Sequence, residues 1–283
     1  MKKQVKVKYG GKETTYTINV MDLSGVSKNA ATVTVNASAS YGVSGNVVTV
    51  KSINDAVSVF KLLGTDDNTT KTINIAAGTY HEKVEFDIPN LHIVGAAEDA
   101  ARTVIEFDLI AEYKCPGTDA AYSTDGSATV SVRAEAIGFH AENITFQNYY
   151  NTHERYLESQ KIANALVPAN ESRNGNTMAV ARLVQADKCV FDNVRFSSYH
   201  DTLYDYNGRH VYNNCFIEGR TDYVFGYGAT SLFNNCTLNT IGANDVKNGG
   251  YVCATRGFVK HVNDWQQADT VIDYGYIFKG CTF

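Results

Sequence analysis

Two aspartates frame the stretch 199-YHDTLYDYNGRHVYNNCFIEGRTDYVFG-226. They are Asp201 and Asp222, 222 − 201 = 21 residues apart, and each is followed three residues later by an aromatic ring, Tyr204 and Phe225. Two carboxyl groups held close together cannot easily both ionise, so one is driven toward its acid form while the other stays a carboxylate. Such a pair supplies a proton donor and a nucleophile at one pH. Aspartate is also a common turn residue, and spacing alone leaves open that the two simply cap turns in successive units.

Whether the pair meets depends on the elements that carry it. Five segments share one context: 141-AENITFQN-148, 191-FDNVRFSS-198, 212-YNNCFIEG-219, 233-FNNCTLNT-240 and 278-FKGCTF-283. With Ile144, Val194, Cys215, Cys236 and Cys281 taken as equivalent, the steps are 50, 21, 21 and 45 residues. These fit one or two turns of a coil of roughly 21 to 25 residues. Short strands and turns at that period, without intervening helices, point to an all-β parallel β-helix in which each coil stacks on the last. Leucine-rich repeats lack a matching leucine spacing here, and a β-sandwich would not repeat one context at a fixed step.

Strands of adjacent coils lie about 4.8 Å apart, so residues one coil apart sit over one another. Asp201 and Asp222 each fall seven residues after an equivalent position, 194 and 215. Their carboxyl groups are therefore expected within about 6 Å on one exposed face, with Tyr204 stacked on Phe225 beside them.

Upstream, 5-VKVKYGGKETTYTINV-20 alternates across a Gly-Gly turn and reads as a β-hairpin. The segment 21–42 is rich in Ser, Ala, Asn and Gly and reads as a linker, which divides the chain into 1–42, the end of a preceding module, and 43–283, the β-helix. Behind a Ser52 N-cap, 52-SINDAVSVFKLL-63 places Ile53, Ala56, Val57, Phe60 and Leu63 on one helical face. This helix is expected to cap the open first coil, whose edge would otherwise be unpaired.

Composition excludes some functions. With 283 residues, a net charge of −5 and a pI near 5.8, the chain lacks the basic face that a nucleic-acid partner requires. No apolar run is long enough to span a membrane, and 1-MKKQVKVKYGG-11 lacks the apolar core of a secretion signal, so the protein is cytosolic or its true N-terminus lies elsewhere. Six cysteines without a CxxC pair argue against a zinc site; Cys215, Cys236 and Cys281 read as small buried fillers.

The block 199–236 resembles the centre of the pectin methylesterases, carbohydrate esterases built on a right-handed parallel β-helix. The likeness extends through 50-VKSINDAVSVF-60, 73-INIAAGTYHEKVEF-86, 91-LHIVGA-96 and 141-AENITFQN-148, and HDTLYD with TDYVFG at this separation is its most specific part. The resemblance implies hydrolysis of galacturonate methyl esters in pectin by an acyl-enzyme route. Asp222 matches the nucleophile, and Asp201 matches the general acid and base. Tyr204 and Phe225 match rings lining the sugar groove, and Thr124 in 122-YSTDGSATV-130 matches a substrate-contacting threonine. It further implies no metal or organic cofactor, methylated pectin or polygalacturonate as partner, and a secreted or cell-surface protein acting as a monomer or as part of a larger multidomain chain.

Three departures stand out. The family's oxyanion hole uses two glutamines, at positions held here by His200 and Met178; Gln185 is seven residues out of place. A thioether cannot donate a hydrogen bond, whereas an imidazole can, and the neighbouring carboxylates are expected to favour its charged form. The family's arginine, in a Gly-Arg-Pro-Trp segment, falls beyond residue 283, Arg256 reads as a turn residue, and the chain is expected to be part of a larger secreted protein. The insertion 149–176 is long, and its His153, Glu154 and Glu158 read as solvated loop residues rather than metal ligands. Two other readings remain: an impaired polygalacturonate-binding module, and a polygalacturonase-like glycosidase. Inverting glycosidases hold their carboxyls roughly 6.5–9.5 Å apart, which adjacent coils do not allow.

Overall fold

The computed structural model describes residues 2–64, 66–111, 113–118, 120–149, 178–241, 250–255 and 275–283. His153, Glu154, Glu158 and Arg256 lie outside them. Three sheets of six, six and ten strands form the walls of a parallel β-helix, with successive coils contributing neighbouring strands. The register is direct: Thr145 pairs with Arg195, Arg195 with Phe216 and Phe216 with Thr237. Thr237 in turn bridges Thr282. The 50- and 45-residue steps are thus single coils carrying insertions, not two turns each.

Inside, flat rings stack coil upon coil. Phe191, Tyr212, Phe233 and Phe278 form a column with centroids 5.0, 4.5 and 4.8 Å apart. Beside them Cys215, Cys236 and Cys281 donate to the carbonyls of Phe191, Tyr212 and Phe233 at 3.3, 3.4 and 3.3 Å, so the repeated thiol is a compact core group that also satisfies a weak donor. In four consecutive coils one corner is turned by an asparagine in left-handed backbone, Asn143, Asn193, Asn214 and Asn235, with φ of 58, 52, 53 and 53°, and in the next by Gly280 with φ of 63°. Asparagine tolerates this region because its short amide bonds locally, as where Asn193 donates to Asn143 at 2.8 Å.

Helix Ile53–Leu63 packs against strands Thr32–Val35 and Val47–Val50 at the N-terminal end. Ser52 Oγ accepts from the Asp55 amide at 3.1 Å, and Glu82 accepts from the Ile53 and Asn54 amides at 2.9 and 3.0 Å. These acceptors satisfy the donors a helix start leaves open. Ile53, Ala56, Val57 and Phe60 are buried as the pattern predicts; Val59 joins them, and Leu63 is only half-buried.

The expected linker is corrected. Thr32–Val35 lies parallel between Val47–Val50 and Lys71–Ile75, so a boundary at residue 42 separates this strand from its partners. Its alternating Thr-Val pattern was masked by the small polar residues around it. Strands Lys2–Tyr9 and Lys12–Asn19 form a separate antiparallel hairpin. Two helical turns were not foreseen, Ala100–Arg102 and Ser123–Gly126.

Candidate active site

Asp201 and Asp222 occupy corners of consecutive coils, both in left-handed backbone with φ of 60 and 50°. Aspartate is one of the few side chains that tolerates this conformation. His200 bridges Thr221, and the Asp201 amide donates to the Thr221 carbonyl at 3.1 Å, which aligns the two corners. From there the chain enters strands Leu203–Asp205 and Val224–Gly226, paired as Leu203 with Val224, Tyr204 with Phe225 and Asp205 with Gly226. Gly226 allows this approach: a Cβ there would lie 1.7 Å from the Asp205 carbonyl oxygen.

The corners bring three ionisable groups together. His200, Asp201 and Asp222 each offer an atom, all within 4.8 Å of one another, and His200 Nε2 lies 3.2 Å from Asp201 Oδ1. The pair is recessed rather than exposed, contrary to the expected open face: Asp201 is buried and Asp222 half-buried. Burial pushes the Asp222 carboxyl above the ordinary aspartate value. His200 corrects a second expectation, because burial first and the Arg220 charge second lower it to about 4. Lost hydration outweighs the attraction of the carboxylates, so the imidazole is neutral near pH 7. Its Nε2 faces Asp201 and can donate there. The three groups are also close enough to share a cation.

The remaining predicted residues form the wall beside this trio. Tyr204 stacks on Phe225 with centroids 4.2 Å apart and planes inclined by 23°. Tyr204 is 3% exposed, and its hydroxyl faces Asp125 in the Ser123–Gly126 turn; burial, then Asp125, hold that hydroxyl far above the usual tyrosine range. It is thus a buried support for the wall and not an open lining residue. Phe225 is half-buried. Thr124, on the same turn, has its Oγ1 3.2 Å from Met178 Sδ. Sequence reasoning missed Tyr206 and Tyr227, which extend the wall with centroids 5.8 Å apart and 5.7 and 5.9 Å from Tyr204. The signal was present: they repeat the 21-residue step, two residues beyond Tyr204 and Phe225 on the same strand face.

The pectinesterase profile matches residues 156–257. A probable pectinesterase of Arabidopsis thaliana is 33% identical over 172 residues, 61% of this chain and 39% of its own length. Over these residues the chain is similar to the pectinesterases. Among solved structures, a mutant pectin methylesterase in complex with a hexasaccharide superposes with a TM-score of 0.63 at 28% identity, covering 80% of this chain and 60% of that one. The pectin methylesterase of Erwinia chrysanthemi superposes with a TM-score of 0.61 at 26% identity, covering 82% and 62%. The chain spans about two fifths of the length of the Arabidopsis relative.

Proposed function

We propose that the protein hydrolyses methyl esters of galacturonate units in pectin, with release of methanol. The observation that carries this reading is the pair of carboxyl groups on consecutive corners, within 4.8 Å of each other beside an aromatic wall. Asp222, as carboxylate, attacks the ester carbonyl carbon. The tetrahedral intermediate collapses by losing methoxide, which takes its proton from Asp201 and departs as methanol, leaving an anhydride between substrate and Asp222. Asp201, now a carboxylate, removes a proton from water, whose oxygen attacks the substrate carbonyl and frees Asp222.

His200 donates to Asp201 through Nε2 and orients it between its two roles. Thr124, Phe225, Tyr206 and Tyr227 contact the sugar units, with Tyr204 supporting them. No step needs a metal ion, so methanol release should survive EDTA. A pectin substrate places the protein outside the cell.

The test is methanol release from methylated pectin by the parent and by Asp222→Ala. Release by the parent alone supports the proposal. Binding of polygalacturonate without release favours the binding-module reading, for which Met178 at an oxyanion position speaks, and shortening of the polymer favours a glycosidase.

A further inference from the structure

A second cluster of ionisable side chains lies on another wall, on the outer face of the ten-stranded sheet. His92, in strand Leu91–Gly95, pairs with His140, in strand His140–Glu142, and their rings stack in parallel with centroids 4.2 Å apart. Glu142, two residues along on the same face, places Oε2 3.3 Å from His92 Nε2 and 3.9 Å from His140 Nε2. On the next coil Asp192 pairs with Glu142 and sets Oδ2 2.7 Å from His140 Nε2.

We propose that His92, His140, Glu142 and Asp192 form a binding site for a divalent transition metal of the zinc class, clamping three consecutive coils. Two imidazole nitrogens and two carboxylates are a donor set suited to zinc. Tetrahedral coordination at roughly 2.0–2.2 Å requires donors separated by about 3.3 Å. The separations of 2.7, 3.3 and 3.9 Å bracket that value. His92, His140 and Glu142 offer atoms all within 4.8 Å of one another. Asp192 reaches the same nitrogen of His140 from the far side. Small χ rotations, opening the ring stack, bring the four donors around one ion.

Three features favour a metal over a plain ion-pair ladder. His92 Nε2 is shielded from water and has no well-aligned hydrogen-bond partner, with Glu142 Oε2 3.3 Å away. Among the described residues, no lysine or arginine stands within two coils of the cluster in either row of the sheet. The histidine row continues through Thr72 and Thr32 on one side and Val190 and Val211 on the other, and the carboxylate row through Val94 and Asn74, and through Asn213 and Asn234. The carboxylate row reaches a cation only at Lys279, three coils beyond Asp192, so neither adjacent carboxylate has a lysine or arginine beside it in its row. Asp192 is held in place as metal ligands are: its Oδ1 accepts from Asn213 at 2.7 Å, and Asn213 accepts from Asn234 at 3.1 Å.

The experiment is titration of the full chain with zinc by calorimetry, with cobalt absorption as a readout of tetrahedral geometry. Expected are one ion per chain at this site and a zinc-dependent rise in melting temperature that EDTA reverses. His92→Ala combined with His140→Ala should abolish binding while leaving the metal-free melting curve cooperative. Asp192→Asn should weaken binding by about tenfold or more. Asp222→Asn, on the other wall, should leave binding unchanged. A folded parent that binds no zinc at micromolar concentration overturns the proposal. So does zinc binding that survives the double variant or is lost with Asp222→Asn.

Discussion

Asp205 and Asp222 lie on neighbouring coils, one in a strand and one at a corner, and their surroundings are opposite. Asp205 is wholly buried inside the coil, where Arg182 donates to it, Tyr212 and Ser231 each donate at 2.6 Å, and His210 Nδ1 lies 3.3 Å away. Burial alone would raise its pKa, but the charges of His210 and Arg182 and these donors hold it well below the usual aspartate range. Arg182 is further enclosed by the faces of Phe191, Phe196 and Tyr212. Asp222 is half-buried, and burial is the influence that raises its carboxyl. The difference shows how one scaffold treats two carboxylates: inside, a charge is tolerated because it is fully paired; at the corner, burial raises the carboxyl without a charged partner to offset it.

The largest expected effect concerns the corner group. Asp222→Ala should lower methanol release about ten-thousandfold or more, as removal of a nucleophile does, and lower stability by only about 1–2 kcal/mol through the left-handed backbone at φ 50° that alanine tolerates less well. Asp222→Asn should abolish release equally and make the fold slightly more stable at neutral pH, because a partly desolvated charge is replaced by a neutral amide. A clear loss of stability in Asp222→Asn, whose side chain tolerates the left-handed backbone, would break the comparison.

The converse change belongs inside. Asp205→Ala leaves Arg182 buried without its partner and should cost about 3–5 kcal/mol in urea unfolding. Asp205→Asn should recover part of this by keeping hydrogen bonds to Tyr212 and Ser231. Were Asp205→Ala no more harmful than Asp222→Ala, the interior cluster would not hold the coil together.

Much of this was legible beforehand, for physical reasons. Corner residues and ring columns repeat because coils stack, so the step between Asp201 and Asp222 predicted their approach, and the Ser52 cap with its apolar face marked the helix. Other properties do not follow from spacing. The depth of the site, which neutralises His200 and buries Tyr204, depends on how the Ser123–Gly126 turn and neighbouring chain close over the corner. The partner of Asp205 was equally hidden, since Arg182 lies 205 − 182 = 23 residues away in a segment that reads as an ordinary strand.

Met178→Gln sharpens the functional half of the comparison. A thioether beside Thr124 cannot donate to a developing oxyanion, whereas an amide can, and a gained donor is worth up to about 3 kcal/mol. Methanol release should rise by as much as about a hundredfold. An unchanged rate would place the oxyanion away from residue 178.

The pH responses of the two aspartates should also separate. Asp222 has a folded pKa above 3.8, so its carboxylate, and with it kcat/KM, is lost as pH falls through that raised value. Asp205 has a folded pKa below 3.8, so its stabilisation is present above 3.8 and lost only as pH falls further, through the depressed value. Activity should therefore fail in acid while the fold persists, as seen by comparing kcat/KM with circular dichroism across the same range. Because His200 titrates near 4, no inflection is expected near the ordinary histidine value of 6.5.

The smallest expected effect tests how far the aromatic wall extends as a binding surface. Tyr206 is 40% exposed, whereas Tyr204 is 3% exposed and carries the stack from beneath. A sugar ring can reach the exposed face without displacing protein, so Tyr206→Ala removes a binding contact and little core packing. A stacking contact of this kind is worth about 0.5–1.5 kcal/mol, which should appear as a several-fold rise in KM with kcat and melting temperature nearly unchanged. Tyr204→Ala should instead lower the melting temperature, because it opens a cavity beneath Phe225 and frees Asp125 from its hydroxyl. If both variants change KM alone, Tyr204 meets substrate directly and the wall opens more than its burial indicates; if neither changes KM, the polymer binds elsewhere on the coil.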